Sequence, residues 1–157
     1  MAIQKITPFL WFDGQAEQAA KFYASVFPNS KVLNVVRNPS AGTLDSALTV
    51  EFELEGLKFV GLNGGPHFKF TEAVSFVVSC DTQSEIDHFW GQLSAGGTEA
   101  ECGWLKDRFG LSWQVVPSML PRWFSSPEPQ RSANVMKTLM SMKKLNIQGL
   151  QAAFDNP

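Results

Sequence analysis

Residues 73–93, AVSFVVSCDTQSEIDHFWGQL, hold the reading that decides the fold. Ala73 to Cys80 has strand character, and Thr82-Gln83-Ser84-Glu85 is a capping box. In such a box the Thr hydroxyl and the Glu carboxylate satisfy free amides at a helix start. Ile86, Phe89, Trp90 and Leu93 then recur at helical spacing, and Gly96-Gly97 ends the helix. The same order opens the chain. Ile3 to Phe12 (IQKITPFLWF) predicts a strand with Thr7, Phe9 and Trp11 on one face and Ile6, Leu10 and Phe12 on the other. Both faces are apolar, so this strand is expected to be covered on both sides. Asp13-Gly14 breaks it, and a helix is predicted over 15–26 with Ala16, Ala19 or Ala20, Tyr23 and Phe27 in one stripe.

The stretches beyond the two strand–helix starts also match. After the first come strands over 31–37, 46–55 and 57–63, with a loop at 38–42 and a tight turn at Glu55-Gly56. After the second come strands over 98–105 and 111–116, flanking the turn Lys106 to Gly110. This is an internal repeat of about 60 residues, and such symmetry is the first feature to seek in a chain. The fold class is α+β: paired βαβββ modules forming a cupped mixed sheet, helices outside, with a C-terminal helical arm. Module one spans 1–66, module two 72–118 and the arm 119–157, all within one domain.

Composition narrows the function classes. Of 157 residues, 44% are hydrophobic and 18% charged, the net charge is -2, and no Lys/Arg-rich stretch occurs. Binding to a phosphate backbone needs clustered positive charge, so no nucleic-acid partner is expected. No apolar run approaches the ~18 residues of a membrane span, so no membrane is expected either. The opening MAIQKITPFLWFDG lacks a cleavage site, which points to the cytoplasm and to two free thiols, Cys80 and Cys102. Thirteen Phe stand against one Tyr. Rings without a polar tip belong in a core, a cavity or an interface.

The arm has its own pattern. Ser126-Pro127 predicts a helix start, and Val135, Leu139 and Met142 form one face of a helix running to Lys144, with Met136 and Met140 beside it. Asn146 can cap a last helix whose apolar side is Ile147, Leu150 and Phe154. The arm packs back on its own domain or onto a second subunit.

Three segments, ITPFLWFDGQAEQAAKFY (6–23), CGWLKDRFGLSWQVVP (102–117) and NVMKTLMSMKKLNIQGLQAAF (134–154), resemble in order the signature stretches of the PhnB-like proteins. These are also labelled 3-demethylubiquinone-9 3-methyltransferase-type domains. They belong to the vicinal oxygen chelate superfamily, with glyoxalase, bleomycin-resistance proteins and extradiol dioxygenases. The resemblance implies paired βαβββ modules and a homodimer. It leaves the chemistry open, because one scaffold hosts unrelated activities.

Metal-dependent members of that superfamily hold a divalent cation with His, Gln and Glu from the first and last strand of each module. Aligned on the turn Asp107-Arg108-Phe109-Gly110, Gln114 stands where such a glutamate would. The other ligand positions fall near Thr7 to Phe9, Gly61 to Asn63 and Ser75 to Ser79, and offer no histidine. Neutral amides hold a transition metal poorly, so no cofactor is expected, a divalent metal being the alternative.

Seven residues are candidates for ligand contact: Phe9, Trp11, Asn63, His67, Trp104, Ser112 and Gln114. Gln114, with Ser112 beside it, either orients a substrate carbonyl or is a buried amide bonded to backbone. Phe9, Trp11 and Trp104 can stack on an aromatic or quinone-like ligand, or in the case of Phe9 serve core packing alone. His67 either reaches a ligand from the linker or is a surface residue, and His88 is expected to be exposed. Cys102 and Cys80 have no neighbouring base and read as structural. The pairs Glu51/Glu53 and Glu99/Glu101 each alternate along a strand, so each is expected to share a face.

The expected function is therefore binding of a small hydrophobic or aromatic molecule in a metal-poor cavity, with no specific activity assigned. A metal-dependent lyase, isomerase or dioxygenase is the alternative. The methyltransferase in the family label is disfavoured: Gly64-Gly65 is followed by Pro66 and a strand, not by the helix that a cofactor loop needs. A purely structural role through the dimer is the remaining possibility.

Overall fold

Each strand–helix start closes into its own four-stranded mixed sheet in the computed structural model, which describes residues 3–38, 40 and 46–156. The chain divides into two compact units, one ending at Phe70 and the other beginning at Thr71. The α+β class and the two βαβββ modules are as the sequence predicts. No helix of the described residues is long and apolar enough to cross a membrane.

In the first unit β1 (Phe9–Phe12), α1 (Ala16–Val26), β2 (Lys31–Arg37), β3 (Ala47–Leu54) and β4 (Leu57–Asn63) form a sheet of order β1-β4-β3-β2. β1 runs parallel to β4, and the other pairs are antiparallel. Ala16, Ala19, Ala20 and Tyr23 of α1 are fully buried with Val50 and Phe52 of β3. The small alanines let the helix approach closely, and Phe52 stacks on Phe59 at 5.3 Å between centroids. The β3–β4 turn is the expected Glu55-Gly56 pair, both with positive φ (48° and 83°), as a two-residue hairpin requires. The loop expected over 38–42 lies partly outside the described residues.

The first strand departs from expectation. It starts at Phe9, not Ile3, because Pro8 has no N–H for a ladder and the Gln4 side chain takes over the pairing. Its amide donates to the Lys58 carbonyl at 2.9 Å and accepts from the Lys58 N–H at 3.0 Å. Nor is the strand covered on both sides: Leu10 and Phe12 are buried, whereas Phe9 is 59% exposed. Packing α1 on one face is enough to hold the sheet, so Phe9 is not a core residue.

The second unit holds β5 (Ser75–Cys80), α2 (Gln83–Ser94), β6 (Thr98–Glu99), β7 (Trp104–Lys106) and β8 (Ser112–Pro117), in the order β5-β8-β7-β6. The capping box forms as read: Thr82 Oγ1 accepts from the Glu85 N–H, and the Glu85 carboxylate accepts from the Thr82 N–H, both at 3.2 Å. Phe89 is half-buried while Ile86, Trp90 and Leu93 are buried. The strand expected over 98–105 is two strands. Cys102 and Gly103 adopt left-handed backbone (φ 63° and 81°), and their N–H groups donate to the Met142 and Lys143 carbonyls at 2.7 and 2.9 Å. This kink also separates Glu99 from Glu101, contrary to the shared face expected. Glu99 accepts from the Trp90 indole at 2.8 Å, on the α2 side.

The C-terminal helices α3 (Leu120–Phe124), α4 (Pro129–Met140) and α5 (Ile147–Asp155) belong to this second unit. Val116, Trp123, Val135, Leu139, Leu145 and Leu150 form one buried cluster, so the arm packs on its own chain. The short α3 has no counterpart among the helices the sequence predicts. α4 begins at Pro129, two residues later than the Ser126-Pro127 signal, since Ser126 Oγ accepts from Glu128 N–H in a local turn instead. It ends at Met140, before Lys144. Asn146 caps α5 as expected, accepting from Gly149 N–H at 2.7 Å.

Candidate functional site

The register of the second sheet decides which side chains meet. β5 pairs with β8 through Ser75–Ser112 and Val77–Gln114, and β7 with β8 through Trp104–Gln114 and Lys106–Ser112. Directly paired residues share a face. Ser75, Val77, Ser112, Gln114, Trp104 and Lys106 therefore occupy one face. Val78, Cys80, Trp113, Val115 and Leu105 occupy the other, where they are buried. On the first face Val77 is 58% exposed, so this is the open side of the sheet.

That side carries a concavity of about 350 Å³ lined by Glu72, Thr98, Ala100, Glu101, Trp104, Leu105, Lys106 and Ser112. Ser112 is fully buried, and its hydroxyl has no hydrogen-bond partner among the described residues. Lys106 Nζ pairs with Glu72 at 2.5 Å, and this contact holds the Glu72 carboxyl below its ordinary range. Beside them Gln114 Nε2 donates to Ser75 Oγ at 2.9 Å. Its amide is thus bonded to a neighbouring side chain rather than to backbone.

The turn after β7 fixes this arrangement. Asp107 is buried, and its carboxylate accepts from the Phe109 and Leu111 N–H groups at 2.8 and 3.1 Å and from the Trp113 indole at 2.8 Å. A buried carboxylate demands such donors. Satisfying them locks the hairpin register that sets Lys106 opposite Ser112. The Asp-x-x-Gly signature is structural.

Of the seven candidates, Trp104, Ser112 and Gln114 come together on the open face of the second sheet. Lys106 and Glu72 were missed, although Lys106 follows Trp104 by two and strand alternation alone puts it on the same face. The other four lie in the first unit. Phe9 and Trp11 share its open face with Val60 and Leu62. Trp11 donates its indole N–H to Gly65 O at 2.8 Å and meets Phe68 edge-on at 4.9 Å. Asn63 pairs with Phe12 on the opposite, helix-covered face. It accepts from Ala16 N–H and donates to Ala47 O, both at 2.9 Å, which anchors the start of α1. His67 and His88 are exposed.

The superfamily's metal does not fit these side chains. The first and last strands of the two modules present Phe9, Trp11, Val60, Leu62, Ser75, Val77, Ser112 and Gln114 on their open faces. Among the described residues no group of three or more His, Cys, Asp and Glu could hold a metal ion. Hard neutral oxygens in this number make a poor transition-metal site. The usual S-adenosylmethionine fold is a doubly wound parallel sheet, and the two sheets here are mixed. Here β1–β4 and β5–β8 are the parallel pairs among described strands, and Gly64-Gly65 leads to no helix.

Cys80 is buried, and desolvation pushes its thiol up to about 12. Cys102 is half-buried at the kink, and both cysteines are free.

Comparison with known proteins places the chain. The family model for 3-demethylubiquinone-9 3-methyltransferase matches residues 4–116. A PhnB protein from Bacillus cereus is 34% identical over 73% of this chain and 99% of its own, with a TM-score of 0.68. The protein PA1353 from Pseudomonas aeruginosa (17% identity, 73% and 98% coverage, TM-score 0.62) shares the fold. So does the fosfomycin resistance protein FosX from Listeria monocytogenes (14%, 80% and 100%, TM-score 0.58). No curated protein matches the chain. The repeated modules, the signature turn and these likenesses agree: the chain belongs to the PhnB-like 3-demethylubiquinone-9 3-methyltransferase family, on the vicinal oxygen chelate fold.

Proposed function

We propose that the protein binds a small aromatic or hydrophobic molecule in the concavity on the open face of its second sheet, and that binding rather than metal chemistry is its basis. The observation that carries this reading is the Ser112 hydroxyl: fully buried, without a partner among the described residues, in the lining of a concavity of about 350 Å³. Leaving such a group unsatisfied costs about 1–3 kcal/mol. A bound molecule that offers it a partner recovers that cost. Trp104 supplies a flat apolar surface two residues along the same strand as Lys106, where a ring can stack. A few placed polar groups in an apolar concavity of this size are the usual make-up of a small-molecule site.

The family name reads as methyl transfer to a quinone. A flat quinone-type ring falls within the ligand class proposed here, whereas no described feature favours the transfer itself. The test is isothermal titration of the purified protein with a panel of neutral bicyclic aromatics, alongside S-adenosylmethionine and elemental analysis. We expect micromolar binding of at least one aromatic, lost in Trp104→Ala, with no binding of S-adenosylmethionine. Stoichiometric Fe, Mn, Ni or Zn, or aromatic binding untouched by Trp104→Ala, overturns the reading.

A further inference from the structure

We infer that the ligand of this concavity is an aromatic acid, its ring on Trp104 and its anionic group between Lys106 and Ser112. The inference rests on the proposed ligand site and adds a charge to it. The concavity is polarised along β7. Trp104 and Lys106 are two residues apart on one face, a separation of about 6.6 Å, which one ring with one substituent can span. Opposite Lys106 stands Ser112, whose Cβ lies about 4.5–5.5 Å away across the ladder. An ammonium and a buried hydroxyl without a partner, side by side, both donate. An oxyanion accepts from both at once, and charge-assisted hydrogen bonds of that kind are the strong ones.

Two carboxylates also line the concavity, and they set the sign of the test. Glu72 already holds Lys106, but its side chain is 61% exposed, and exposed ion pairs contribute little. A ligand carboxylate that also reaches Ser112 makes a bond that Glu72 does not, so Glu72 is the group it displaces. Glu101 stands in the turn before β7, at the Trp104 end and away from Lys106. It repels an anion weakly through solvent.

Titration of the full chain with 2-naphthoate, neutral 2-naphthamide and cationic 2-naphthylmethylamine tests this. We expect the acid to bind about tenfold tighter than the amide. Glu72→Gln should tighten the acid several-fold and leave the amide unchanged. Lys106→Met should erase the acid's advantage while Lys106→Arg keeps it, each variant being checked by its thermal transition. An amide or amine that binds as tightly as the acid, or a Glu72→Gln variant that weakens the acid, overturns the inference and leaves the aromatic site standing. Failure of all three ligands overturns the inference together with the reading it rests on.

Discussion

The indole N–H of Trp113 donates at 2.8 Å to the carboxylate of Asp107, six residues earlier, and both side chains are buried. The bond crosses the base of the β7–β8 hairpin. It ties a turn residue to the helix-covered face of the sheet while Lys106 and Ser112, the immediate neighbours of these two residues, look the other way. The signature turn thus serves the open face without touching it.

Asp107→Ala should cost about 3 kcal/mol, because it strands the Phe109 and Leu111 amides and the Trp113 indole in the interior. Urea unfolding measures this. Aromatic binding should fall as well, since the hairpin register loosens.

Ser112→Ala should act in the opposite sense on stability. It removes a buried hydroxyl that bonds nothing among the described residues, so the free protein should gain about 1 kcal/mol. Ligand affinity should drop by about tenfold, equivalent to ~1.4 kcal/mol. A parallel measurement of unfolding midpoint and dissociation constant shows whether the two effects oppose one another.

Gly103→Ala should be far more damaging than Gly56→Ala. Both glycines have positive φ, but a Cβ on Gly56 meets nothing within 4 Å among the described residues. At Gly103 it would meet the Val115 carbonyl at 2.8 Å and Leu145 at 3.0 Å. We expect about 1 kcal/mol lost for Gly56→Ala and more than about 3 kcal/mol for Gly103→Ala. Unfolding midpoints of the two variants check the order.

Stability should fall above pH 9 through Cys80. Its folded thiol is raised to about 12 by burial, from an ordinary value of 9.0. Between those values the unfolded chain releases the proton and the folded one keeps it. The contribution is therefore complete below pH 9 and lost as pH rises, by at most ~1.4 kcal/mol per pH unit. The loss between pH 8 and pH 10.5 should be smaller in Cys80→Ala than in the native protein, which denaturation at the two pH values measures.

Local signals carried much of the fold into view. The capping box at Thr82 and Glu85, the Asn146 cap and the Glu55-Gly56 turn are each written within a few residues, and each forms as read. The hidden features depend on distant partners. The break at Cys102 needs a non-glycine residue in a left-handed conformation, and carbonyls 40 residues away hold it there. Asn63 has the chemistry of a ligand residue, yet strand register turns it toward α1, where the Ala16 N–H lacks a helical partner. Trp104, Ser112 and Gln114 were legible because alternation along one hairpin assigns faces. The isolation of the Ser112 hydroxyl was not, since a missing partner is a property of three dimensions.

The bonds from Cys102 and Gly103 to Met142 and Lys143 also set an order of assembly. The ribosome makes the hairpin that bears Trp104 well before the stretch that braces it. Through the synthesis of about 40 residues the kink has no carbonyls to close on. A substitution that loosens residues 142–145 therefore reaches the start of β7, and Trp104 with it, from about 40 positions away in the chain.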